Sequence, residues 1–76
     1  MNNFIFNKLQ EFADQNNLEV SIVQEREIDR LAILKFRHKE TKKHTNIVIN
    51  MYEQLNVAEK EIIKEVIEQV ERRLLK

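Results

Sequence analysis

Few residues in this chain are of a type that does chemistry, and most of them fall in one stretch. His38 and His44 bracket a polar segment that also carries Glu40. Two imidazoles and a carboxylate form a mixed nitrogen and oxygen set of the kind that suits a divalent cation. Their spacing follows no metal motif, however, and the surrounding lysines oppose a cation, so both histidines are read as solvated residues at a hairpin end. Ser21 has no histidine near it in sequence and reads as a polar strand residue rather than a nucleophile. Cysteine is absent, which removes thiolate chemistry and disulfides together. Glu61 and Glu65 alternate with Lys60 and Lys64 in the manner of a solvated helix face. No catalytic residue, cofactor or metal site is assigned, and the chain is expected to be non-enzymatic.

The remaining feature is electrostatic. Thirteen basic and thirteen acidic side chains cancel overall, so no whole-molecule field draws the protein to nucleic acid or anionic lipid. The cancellation is uneven. Residues 1–34 hold three basic and six acidic side chains, whereas residues 35–44 hold Lys35, Arg37, Lys39, Lys42 and Lys43 against Glu40 alone. A hairpin tip with five cations can reach into a groove or track a phosphate backbone. It can equally keep the domain soluble and blunt edge pairing. Phe36 is the one aromatic residue among these charges and is expected to face inward, which leaves no platform for base stacking.

The elements that position this block follow from periodicity. Ile5, Leu9, Phe12 and Ala13 recur at three- and four-residue spacing and predict a first helix, flanked by Phe4 and Phe6 and stopped at Asn16-Asn17. Leu18 to Glu25 alternates Leu18, Val20 and Ile22 against Glu19, Ser21 and Glu25, the period of a strand with one buried face, and Val23 breaks the alternation. After a polar turn over Arg26–Arg30, with Asp29 as its turn former, Leu31–His38 forms a second strand. Its core face is Ala32, Leu34 and Phe36, and Leu31, Ile33, Lys35 and Arg37 share the other face. A third strand, His44–Tyr52, points Ile47, Ile49 and Met51 inward and Asn46, Val48, Asn50 and Tyr52 outward. Asn56 and Glu59 resemble a capping box that opens a last helix of roughly twenty residues. Its stripe is Ile62, Val66, Val70 and Leu74, flanked by Ile63 and Ile67. Glycine and proline are both missing, so Asn, Asp or a charged residue must occupy any left-handed turn position.

A hydrophobic content of 42% beside a charged content of 34% is that of a globular chain, and 76 residues suffice for one domain spanning residues 1–76. The predicted class is α+β, in the order helix, three-stranded antiparallel meander, helix, with both helices on one sheet face. The N-terminus lacks a basic start and a long apolar core, and no run approaches ~18 apolar residues, so neither a signal peptide nor membrane contact is expected. A reducing, cytoplasmic setting fits the lack of cysteine. On the uncovered face, Val23, Leu31, Ile33, Val48 and Tyr52 form a patch bordered by Lys35 and Arg37, which points to a protein partner or a homodimer. Nucleic-acid binding through Lys35, Arg37, Lys39, Lys42 and Lys43 is the alternative.

The element order and length resemble the double-stranded-RNA-binding domain. That family brings lysines to the start of its last helix and uses a glycine-containing strand loop. Here the corresponding stretch reads Asn56-Val57-Ala58-Glu59-Lys60-Glu61 and glycine is absent, so the family's RNA-binding residues have no counterparts. The same order, with the richness in Asn, Lys, Ile and Glu, also resembles small phage-encoded proteins, among them some anti-CRISPR inhibitors. That resemblance is one of topology and composition. It implies a protein-binding role in a host cytoplasm.

Overall fold

The computed structural model describes residues 3–26, 28, 30–50 and 58–75. Along the chain come α1 (Asn3–Gln15), β1 (Leu18–Arg26), β2 (Leu31–His38), β3 (His44–Asn50), α2 (Glu59–Val70) and a π-helical turn, Glu71–Leu75. The strands form one antiparallel sheet in the order β1-β2-β3, so the fold is an αβββα meander.

Ile5, Leu9 and Ala13 lie one helical turn apart and are fully buried, which fixes the inward stripe of α1. The helix ends where Asn17 adopts φ 59°, the left-handed conformation that another chain would give to glycine. Just before it, the Asn16 amide donates from Nδ2 to the Phe12 carbonyl at 2.8 Å and from its backbone N–H to that of Ala13 at 3.1 Å, satisfying acceptors that the last turn leaves open. Among the described residues the other left-handed positions are Arg30 and Lys42, one at each hairpin turn, where charged side chains take this conformation.

A single cluster joins the α1 stripe to Leu18, Ala32, Leu34, Phe36, Ile47 and Ile49 of the sheet and to Ile62, Val66 and Val70 of α2. The sheet members share one face by register, because Phe36 pairs with Val20 and Thr45, Leu34 with Ile22 and Ile47, and Ala32 with Ile49. Both helices therefore pack on that face. Phe36, fully buried, lies at its centre with its ring edge-on to Phe12, centroids 6.5 Å apart.

Three expectations need correction. Ile22 keeps its place on the inward face, yet it is 42% exposed. β1 is an edge strand of the sheet, and its residues from Ser21 to Arg26 are all exposed, so cover on this strand ends before Ile22. The N-cap of α2 is Ala58, with no side-chain cap hydrogen bond, rather than the polar residue of a capping box; Asn56 lies outside the described residues, and Glu59 and Glu61 in the first turn favour the helix start through the dipole. The last helix also changes pitch after 12 residues. In the wider π turn, Leu74 and Leu75 both pack on the core. The inward Met51 and outward Tyr52 lie outside the described residues.

Neighbouring substitutions in β2 test the two-faced sheet. A folded domain of this size is held by roughly 4–11 kcal/mol. Leu34→Asp, which buries an unpaired carboxylate, is expected to unfold it. Ile33→Asp, on the opposite face, is expected to cost about 1 kcal/mol in urea denaturation.

Candidate interaction surface

The second face of the sheet is a grid of cross-strand rows. Beginning at the β2–β3 turn, Arg37 lies between Glu19 and His44, and Lys35 lies between Ser21 and Asn46. The next row is Gln24, Ile33 and Val48, and the last is Arg26, Leu31 and Asn50. Leu31 and Ile33 are half-buried by their neighbours, whereas Val48 is 58% exposed. The face thus has an apolar half toward the β1–β2 turn and a cationic half toward the β2–β3 turn. Among the described residues no helix packs against it.

The register shift on β1 falls between Ile22 and Gln24, which pair with the adjacent residues Leu34 and Ile33. Val23 is the inserted residue of a β-bulge and is 54% exposed. Its interruption of the alternation was the sequence signal for this irregularity. One apolar residue escaped that reading: Ile28, in the β1–β2 turn, is 94% exposed. Ile22 and Ile28 add exposed apolar surface to that of Val23, which the predicted patch already included. The only sign in the sequence was an isoleucine within an otherwise charged turn.

The basic loop is tightly bonded. The His38 N–H donates to the Lys43 carbonyl at 2.8 Å, and the Lys42 N–H donates to the His38 carbonyl at 3.0 Å. The Lys39 N–H donates to the Asn17 carbonyl at 3.1 Å, tying the loop to the turn between α1 and β1. Inside the loop, Nδ1 of His38 accepts from the N–H groups of Glu40 at 3.2 Å and Thr41 at 3.3 Å. Thr41 Oγ1 accepts from Lys43 N–H at 3.3 Å. His38 is thereby an organising residue of the turn, with Nδ1 already engaged. Register also sends His44 to the open face with Arg37 and His38 to the inward side with Phe36, so the two imidazoles do not converge. Among the described residues no group of three or more His, Asp or Glu could hold a metal ion.

Lys35 and Arg37 are half-buried, and Lys39, Lys42 and Lys43 are exposed. Among the described residues none of these five takes part in an ion pair. Of the predicted contact residues, Leu31, Ile33, Val48, Lys35 and Arg37 share the open face, and Lys39, Lys42 and Lys43 extend from its end; Tyr52 lies outside the described residues. On the far side of β3, Arg73 Nη1 donates to Thr45 Oγ1 at 3.1 Å and to the Asn46 carbonyl at 3.2 Å.

The sequence matches no protein-family model, and neither a curated protein nor a solved structure matches it. No helix among the described residues is long and apolar enough to cross a membrane.

If His38 organises the loop, His38→Ala removes the acceptor shared by two amides. Hydrogen exchange at Glu40 and Thr41 is expected to accelerate roughly 2- to 10-fold, equivalent to the ~0.5–1.5 kcal/mol of one net hydrogen bond. The β1–β2 pairing should keep its protection in the same experiment.

Proposed function

We propose that the chain is a non-enzymatic protein-binding module that works through the open sheet face and the adjoining basic hairpin. The observation that carries this reading is the division of β2. Ala32, Leu34 and Phe36 are buried beneath the helices, while Leu31 and Ile33 occupy the other side beside exposed Val48. Contiguous apolar side chains on a sheet face that no described helix covers, rimmed by Lys35 and Arg37, have the anatomy of a contact surface with an apolar centre and a charged border. The phage-encoded inhibitors that resemble this chain in element order give a precedent for such a role.

A bait comparison in lysate of the cell that encodes the chain tests this reading. Immobilised wild type is expected to retain proteins, further copies of the chain included, that Ile33→Asp loses and that Glu61→Lys on the outer face of α2 keeps. Identical retention by wild type and Ile33→Asp would remove the open face as the working surface.

A second reading, nucleic-acid binding, is favoured by one observation: at one end of the sheet stand five cations, none of which is in an ion pair among the described residues. Five phosphate contacts would give a log-log dependence of affinity on salt with a slope of roughly −4. Lys39→Glu with Lys42→Glu would flatten that slope to roughly −2 to −3. A gel shift that is absent at low salt, or equal in the two proteins, discards this reading.

A further inference from the structure

We propose that His38 makes the basic loop sensitive to pH: protonation of its imidazole releases the tip of the loop, Glu40 and Thr41, while the base of the loop stays bonded. This device is independent of which partner the surface binds.

Nδ1 of the half-buried His38 accepts from the N–H groups of Glu40 at 3.2 Å and Thr41 at 3.3 Å. A ring nitrogen accepts only while it carries no hydrogen, so this arrangement requires a neutral imidazole with its hydrogen on Nε2. A proton added to the ring goes to Nδ1, the one nitrogen with a lone pair, and turns it into a donor that faces two donors. Both bonds are then lost together, and the two N–H groups must turn to water. An amide oxygen in the same place would accept at any pH, whereas an imidazole is the side chain suited to change between about pH 5 and 8.

The bonds at the base of the loop do not involve the ring. The His38 N–H donates to the Lys43 carbonyl, the Lys42 N–H to the His38 carbonyl and the Lys39 N–H to the Asn17 carbonyl, all through the main chain. Strand pairing of β2 also runs up to His38 against β1 and to Arg37 against β3. Protonation therefore has a bounded effect, freeing the tip and leaving the hairpin closed.

Among the described residues, the groups around the ring offer a charged imidazole little compensation. The loop itself brings Lys39, Lys42 and Lys43 against Glu40, whose own N–H is one of the two displaced donors. On β1 the register partner of His38 is the buried Leu18, and its neighbour Glu19 pairs with Arg37 on the open face. The turn between α1 and β1 holds the uncharged Asn16 and Asn17, and the last carboxylate of α1, Asp14, accepts from Gln10 Nε2 at 3.2 Å. On β3, His44 lies beside Arg37 on the open face. The last helical turn brings Arg72 and Arg73, the latter bonded to Thr45. Cations outnumber carboxylates at this end of the sheet, so added charge raises repulsion within the loop. The two bonds thus hold the tip while the ring is neutral and are lost as falling pH charges it. A partner then meets a tip that is both looser and more cationic.

Solvent exchange of single amides, followed by NMR on the whole chain, tests the device. Protection is expressed relative to an unstructured chain at the same pH, and the Cε1–H shifts of His38 and His44 report when each ring is charged. As His38 takes its proton, Glu40 and Thr41 are expected to lose protection roughly 2- to 10-fold, the loss of one net hydrogen bond. The amides of His38 and Lys42 are expected to keep theirs. His38→Asn, which sets a non-titrating oxygen near the place of Nδ1, is expected to remove the pH response, and His44→Ala to leave it intact. Protection at Glu40 and Thr41 that is unchanged once the His38 ring is charged, or a loss that follows His44 or persists in His38→Asn, overturns the proposal. So does an equal loss at His38 and Lys42, since the whole hairpin would then be opening.

Discussion

The two-residue period of the central strand is the constraint on which the rest of this structure depends. Because successive side chains of β2 point to opposite faces, the sequence Leu31-Ala32-Ile33-Leu34-Lys35-Phe36-Arg37 separates into two surfaces with no freedom to mix them. One surface is completed by the stripes of α1 and α2 and becomes the core. The other retains its aliphatic and cationic groups side by side. A slip of one residue in register would put Lys35 and Arg37 under the helices, at a desolvation cost the domain could not meet. The position of the core and the chemistry of the open face are thus one fact, and Phe36, the largest fully buried side chain among the described residues, marks the core side where it packs edge-on to Phe12.

Much of this was legible from residue types. The two helical stripes, the three strands and the assignment of Leu31 and Ile33 to the face opposite Phe36 all follow from spacing, because burial on one side imposes a period that the sequence must carry. The extent of cover does not. Ile22 has the right parity for the core and is left exposed on an edge strand where burial ends after Val20, a matter of position in the sheet rather than periodicity. Bonds made by the backbone to particular side chains were also hidden. No pattern signals that His38 accepts two loop amides through Nδ1, or that Ala58 rather than a polar residue is the N-cap of α2. The basic block was visible, but the lack of ion pairs to it among the described residues was not: Glu19 stands opposite Arg37 in the ladder, and no ion pair joins them.

The candidate surface gains definition from what surrounds it. Lys39 is bonded through its backbone to Asn17, so the cationic loop is oriented by the end of α1 rather than hanging from two strands alone. Arg73 closes part of the opposite border from the last helical turn. The loop and the border of β3 are therefore each tied to a helical part of the fold.

The meander brings a kinetic consequence. Every strand pairs with its neighbour in the chain, through turns of a few residues, so each contact in the sheet closes a small loop and little entropy is lost before pairing begins. The chain also lacks proline, and its refolding has no slow isomerisation step to wait for. Such a molecule reaches its native state quickly and exposes its apolar strands only briefly, which is how a sheet with one greasy side can be made in a crowded cell without a lasting chance to aggregate.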